Sequence, residues 1–265
     1  MLRIILSFFG GVFTFLTMSV VAFALTIGAV FWIYGRDLPS HESLAQYKPP
    51  TISRIYSGEG RIVDEFARER RLFTGAKDVP ILIKQAFISA EDKNFYSHPG
   101  YDLRGILSAA VDAARSGGRR VRGASTITQQ VMKNFLLDGS RRAERKIKEI
   151  ILATRIENTL DKERILELYL NEIFLGQNSY GVTAAAQTYF NKTLDELAPH
   201  EAAFLASLPK APSDFHPVRR KQRLLDRRNY VLKEMWQNGF LEEAAYRAEA
   251  AQPLLSVQNG DFKSF

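Results

Sequence analysis

Residues 4–34 carry no charge, with Arg3 on one side and Arg36-Asp37 on the other. A bilayer is crossed by about 20 apolar residues, so this run spans one with length to spare. It is too long for a secretory h-region of about 7–15 residues, and its length also argues against a buried core helix. Ala22-Phe23-Ala24 resembles a small-residue cleavage site and leaves cleavage as the lesser reading. The main reading is an uncleaved signal anchor, residues 1–36. Arg3 and the free amino terminus favour a cytoplasmic start, which puts the rest of the chain outside. Trp32 and Tyr34 sit where an interfacial aromatic belt belongs.

Residues 37–50, ending Lys48-Pro49-Pro50, read as a polar linker. Two β-prone segments, 52–56 and 61–66, flank Ser57-Gly58-Glu59-Gly60 and predict a hairpin. No second sheet-forming region of comparable strength follows, and from Val79 the pattern is helical almost throughout. Pro80 suits the first position of a helix, and Leu82, Ile83, Ala86, Phe87 and Ala90 recur at helical spacing. Glu91, four residues after Phe87, extends that apolar stripe. A carboxylate entering an apolar wall holds its proton more tightly, the usual route to a general base. Read alone, Glu91 and Asp92 are equally well polar residues that end a helix, ahead of Phe95, His98 and the Pro99-Gly100 turn.

An Ala-rich helix is expected over 103–114, then a basic loop over 115–123. Thr126 and Gln129 have capping-box spacing, so a helix begins there. On it Gln130, Lys133 and Asn134 share one face, and Ile127, Val131 and Phe135 another. Ser140 is the expected N-cap of the next helix, with Ile147, Ile150 and Ile151 toward a core. Arg145, Lys146 and Glu149 fall on one face, and two cations for one carboxylate leave surplus positive charge suited to a phosphate. A helix after Asp161, a turn between Gly176 and Gly181, short helices to Tyr189-Phe190 and over 199–206, and a basic helix over 219–240 complete the pattern. Ser207-Leu208-Pro209-Lys210 matches the SxxK of serine acyl-enzymes. Pro209 would break the turn that brings Lys to Ser, and no KTG or SDN partner occurs.

The chain has no cysteine, which removes thiolate chemistry, and its four histidines are too scattered for a histidine zinc site. A net charge of +7 raises nucleic acid as a partner, but a helix-rich extracytoplasmic domain accounts for the basic clusters, so none is expected.

The stretches EDKNFYSHPG (91–100), GASTITQQVMKNFLL (123–137), RKIKE (145–149), KERILELYLNEIFLGQNSYG (162–181) and EAAFLASLPKAP (201–212) occur in this order. Together they resemble the peptidoglycan glycosyltransferase domain, glycosyltransferase family 51, of class A penicillin-binding proteins, with monofunctional transglycosylases as second choice. The resemblance implies a mainly α, lysozyme-like domain with a small β-hairpin over 51–240, preceded by one transmembrane helix. Residues 241–265 resemble the start of a linker toward a transpeptidase domain. It implies polymerisation of lipid II on the outer side of the bacterial cytoplasmic membrane. An acceptor 4-hydroxyl displaces undecaprenyl pyrophosphate from the donor's C1 with inversion, giving a β-1,4 link. Glu91 matches the general base and Glu149 the second essential glutamate. Arg145 and Lys146 match the pyrophosphate-supporting pair, Ser125, Gln130, Lys133 and Asn134 the donor site, and Asp92, Phe95 and His98 supporting positions. Implied partners are lipid II, the growing glycan, the membrane and other cell-wall synthesis proteins. No organic cofactor or protein metal site is implied, and a divalent cation, magnesium or manganese, is left open. Two readings compete: a lysozyme-like or lytic glycan-cleaving enzyme, and a non-catalytic membrane scaffold. The cations around Glu149 argue for a phosphate leaving group over a sugar one.

Overall fold

The charge-free run forms one helix, α1 (Leu2–Gly35), whose side chains from Ser7 onward are almost all exposed. Residues 7–35 are long and apolar enough to cross a membrane. Thr14, Thr17, Ser19 and Thr26 each donate a hydroxyl hydrogen bond to the carbonyl four residues back, at 2.8–2.9 Å. Their polar atoms are thus satisfied within the helix, as an apolar surrounding requires. At its end the Arg36 guanidinium lies 3.5 Å from the Trp32 ring centroid. The computed structural model describes residues 2–36, 38, 44, 47, 53–56, 58–59, 62–66, 70–115, 125–137, 142–212 and 214–257.

The expected hairpin is present as antiparallel β1 (Ser53–Tyr56) and β2 (Ile62–Phe66), with a register shift between Ile55 and Tyr56. A second pairing was not legible in the sequence. β3 (Arg70–Arg71) runs parallel to β4 (Ser179–Tyr180), joining two segments too short to show strand periodicity.

Helices build the remainder: α2 (Ile81–Glu91), α3 (Leu103–Arg115), α4 (Ile127–Leu136), α5 (Arg142–Glu157), α6 (Lys162–Glu172), α7 (Val182–Phe190), α8 (Pro199–Leu205), α9 (Lys221–Gln237) and α10 (Glu243–Ala251). Pro80 stands one position earlier than expected, as N-cap of α2, where its carbonyl accepts from Ile83 and Lys84 N–H. α2 packs against α8 and α9 through Ile83, Ala86, Phe87, Phe204, Val231 and Leu232. Each such buried side chain contributes about 1.5–3 kcal/mol. α4 packs on α5 and α6 through Ile127, Val131, Met132, Leu152, Ile156 and Ile165. On α5, Ile151 is buried as expected, whereas Ile147 and Ile150 are only half-buried. The helix expected after Asp161 is α6, and Asp161 caps it, accepting from Arg164 N–H at 2.7 Å. The loop at 116–123 and Ser140 lie outside the described residues.

The stretch after the anchor docks on this core at three described positions. Leu44 is buried and Leu38 packs against the core. Tyr47 sets its ring edge-on to Phe135 at 4.7 Å and donates to Glu172 Oε1 at 2.8 Å. Arg155 donates to Gly35 O at 3.0 Å, tying the end of α1 to α5. At the other end, fully buried Arg228 donates to the carbonyls of Ala250, Gln252 and Pro253 and so caps α10.

Candidate active site

Glu91 and Asp92 end α2 side by side and use their carboxylates differently. Asp92 Oδ2 accepts Ile127 N–H at 2.9 Å, satisfying a free donor in the first turn of α4. Its oxygens also meet His98 Nε2 at 2.9 and 3.0 Å. His98 Nδ1 accepts Gly100 N–H at 3.1 Å, so the ring proton sits on Nε2 and is donated to Asp92. Gly100 has φ +90° and lies so close to α5 that a Cβ there would meet Ala153 O at 2.7 Å. Its carbonyl accepts the Thr126 hydroxyl at 2.7 Å. Phe95 is fully buried beneath this loop, with Lys162 Nζ 4.7 Å from its ring centroid. The 92–100 loop therefore fixes the start of α4 against α2 and α5.

Glu91 instead lines a cleft of about 1480 Å³ shared with Ser125, Gln130, Lys133, Glu149, Lys210 and Arg227, among others. Its Oε2 accepts from Gln130 Nε2 at 3.0 Å, and Arg227 Nη2 lies 3.6 Å from Oε1. Burial pushes the Glu91 carboxyl above its ordinary value, and neighbouring Asp92 adds to this. The Gln130 hydrogen bond and the charges of Arg227 and Lys210 pull the other way without overcoming it. The Tyr169 hydroxyl is buried with no hydrogen-bond partner among the described residues. Burial, then the charges of Glu91 and Asp92, hold it protonated.

Glu149 lines the same cleft but is held by cations. Lys146 Nζ lies 3.2 Å from its Oε2, and Arg145 Nε lies 3.4 Å from its Oε1. The same ammonium donates to Ser125 Oγ at 2.7 Å and Gln129 Oε1 at 2.8 Å, so Lys146 joins α5 to the start of α4. Thr126 caps α4 as expected, accepting from Gln129 N–H at 3.2 Å. The second half of a capping box is missing, because the Gln129 side chain is spent on Lys146 and Gly100 O.

Of the residues singled out from sequence, Glu91, Asp92, Ser125, Gln130, Lys133 and Glu149 line this one cleft. Arg145 and Lys146 reach it through Glu149, while Phe95 and His98 support it from beneath. Asn134 is exposed on α4 and is not among the cleft-lining residues. Sequence reasoning missed the wall formed by α9 and the segment before it: Lys210, Arg223, Asp226, Arg227, Tyr230 and Glu234. The available signal was the row 223, 227, 230 and 234, which recurs at helical spacing beside the buried row Leu224, Val231 and Met235. Ser207 back-bonds to Ala203 O at 2.7 Å and is fully buried, so the SxxK match carries no nucleophile. Among the described residues, no three His, Asp or Glu side chains converge as metal ligands.

Comparison with known proteins gives a consistent family. A family model described as Transglycosylase matches residues 59–236. Penicillin-binding protein 1A of Rickettsia felis is 46% identical over 248 residues, covering 91% of this chain and 31% of that protein. Penicillin-binding protein 1A of Aquifex aeolicus is 41% identical over 245 residues, covering 92% and 34%. A crystal structure of penicillin-binding protein 1A from Haemophilus influenzae aligns at TM-score 0.48 and 29% identity, over 80% of this chain and 22% of that one. The chain thus spans about a third of the length of the Rickettsia and Aquifex proteins and about a fifth of the Haemophilus chain.

Proposed function

The chain belongs to the transglycosylase family, and from that footing we propose that it polymerises lipid II into β-1,4 glycan strands at the outer face of the cytoplasmic membrane. The observation that carries the reading is the pairing in one cleft of a buried Glu91, its proton affinity raised by burial, with a cation-flanked Glu149. In this scheme the acceptor's 4-hydroxyl gives its proton to Glu91 as its oxygen attacks the donor's C1 from the face opposite the leaving group. The C1–O bond to the diphosphate breaks, the electron pair leaves with undecaprenyl pyrophosphate, and the anomeric centre inverts. A diphosphate needs its charge neutralised more than it needs a proton, which Lys146 and Arg145 supply. Glu149 then acts by charge and by holding those cations, not as a proton donor. Ser125 belongs to the same diphosphate end, through Lys146. Lys133 reaches the donor from the cleft wall, and Asn134 lies at its margin.

Access from the membrane supports a lipid-linked substrate. α3 exposes Leu103, Leu107 and Val111 on one side while Arg104, Ser108 and Asp112 line the cleft on another. An amphipathic helix of this kind seats its apolar side in the bilayer surface. We assign residues 1–36 as the anchor, 37–50 as its connection, 51–240 as a lysozyme-like glycosyltransferase domain, and 241–265 as the root of a linker toward a transpeptidase domain. Other cell-wall synthesis proteins are proposed partners.

Incubation of labelled lipid II with wild type and Glu91→Gln tests the reading. The expected result is glycan chains with release of undecaprenyl pyrophosphate for wild type and their loss for the variant. Cleavage of finished glycan without chain growth would replace it by the hydrolytic reading. A wild type inactive on both substrates would leave the scaffold reading.

A further inference from the structure

We propose that Arg227 is a positioning residue for Glu91, gripping its Oε1 from α9 and setting the pH range over which that carboxylate is ready to accept a proton. The inference rests on Glu91 being the general base.

Arg227 makes several separate contacts at the end of α2. Its Nη2 lies 3.6 Å from Glu91 Oε1 and donates to Ala90 O at 3.3 Å. The guanidinium carbon stands 4.8 Å from the Tyr230 ring centroid, one turn along the same helix. Both partners of the ion pair are largely withdrawn from water, with side chains 13% exposed. With Gln130 on Oε2, each carboxylate oxygen is held by a different helix, α9 or α4. The last carbonyls of a helix lack intrahelical donors, so the bond to Ala90 O also caps α2 and fixes where Glu91 leaves it.

Five groups face Glu91. Arg227 comes from α9, Gln130 from α4, Lys210 from the segment between α8 and α9, Asp92 from the next position, and Tyr169 from α6. Tyr169 is neutral and Gln130 is uncharged. Lys210 is exposed at the cleft rim and therefore screened by water. Asp92 opposes the charge on Glu91. Arg227 combines direct contact, positive charge and exclusion of solvent, and so gives the largest cationic support to the ionised form.

The sign follows. A base must be ionised before it takes the hydroxyl proton, so the acid limb of kcat/KM rises as Glu91 loses its own proton. Removing Arg227 removes support for the ionised form and moves that limb to higher pH. An opposite charge at this range shifts a carboxylate by about one pH unit or more.

The test measures kcat/KM for lipid II polymerisation against pH with the full anchored chain, alongside melting curves. Arg227→Gln is expected to move the acid limb up by about one pH unit. Arg227→Lys should return the limb toward wild type while lowering the plateau kcat, because an ammonium lacks the planar guanidinium that stands against the Tyr230 ring while reaching Glu91 and Ala90 O. A folded Arg227→Gln whose activity falls by one factor at every pH, with the limb unmoved, overturns the proposal. Arg227→Met, which keeps an unbranched stem without the charge, is the second neutral variant. If neither neutral variant folds, Arg227 serves the fold and the proposal is overturned. Full activity in Glu91→Gln would instead remove the general-base reading itself, whatever Arg227 does.

Discussion

Glu91 and Asp92 are adjacent carboxylates that answer to different helices. Glu91 is held at the cleft by Gln130 and Arg227, while Asp92 accepts from His98 and from the first turn of α4. One backbone step thus separates a group placed for proton transfer from a group placed for architecture.

Glu91→Gln should trade activity for stability. Loss of a general base lowers the rate about 10²–10⁴-fold. The folded carboxyl titrates above its ordinary 4.5, so the native state binds more protons than the unfolded chain in that window. Stability associated with Glu91 is therefore full at low pH and declines as pH rises through the folded value. The Gln variant should melt higher than wild type near neutral pH, with the gap closing toward pH 4.5. Melting curves across pH in one detergent check both direction and closure.

Asp92→Asn should do the reverse. It loses one acceptor for two buried donors, a cost of about 1.5–3 kcal/mol for a charged hydrogen-bond acceptor. The unfolding free energy from denaturant curves should fall by that amount, while the acid limb of activity moves modestly to lower pH, because the Asp92 charge no longer opposes ionisation of Glu91. A limb that moves to higher pH would contradict this placing of Asp92.

Lys146→Met removes the joint between Ser125, Gln129 and Glu149. If it neutralises the leaving diphosphate, the rate should fall about 10²–10³-fold, as for loss of one electrostatic stabiliser of a transition state. Ser125→Ala, which removes one acceptor and no charge, should cost far less. Single-turnover rates at saturating lipid II separate this from weaker binding.

Gly100→Ala should destabilise by about 3 kcal/mol, since the residue is left-handed and its Cβ would strike the Ala153 carbonyl. Activity should fall with it, because Gly100 O anchors Thr126 at the start of α4. Thermal unfolding together with the polymerisation assay checks this.

What could be read from the sequence is what a few neighbouring residues determine. α1 was legible from its lack of charge, and Thr126 was legible as a cap because it bonds three residues ahead. The cationic setting of Glu149 was legible because Arg145 and Lys146 share its helix. Arg227 was not, since its meeting with α2 depends on how α9 packs and its composition suggested only a basic surface. Gln130 read as a substrate ligand on its helix face, but its amide also bonds to Glu91. The docking of Leu44 and Tyr47 was hidden by the polar residues around them, because two anchoring side chains leave no periodicity.

The bonds that define the Glu91 corner join distant parts of the chain. Ile127 and Asp92 are 35 residues apart, Gln130 and Glu91 39, and Arg227 and Ala90 137. Each closure is entropically opposed until both partners have found their helices, so such contacts form late and slowly. The corner is complete only when α2, α4 and α9 have all docked. Turnover on this chain therefore reports the end of folding: a nascent or partly refolded molecule would carry every motif in its sequence and still lack a working site.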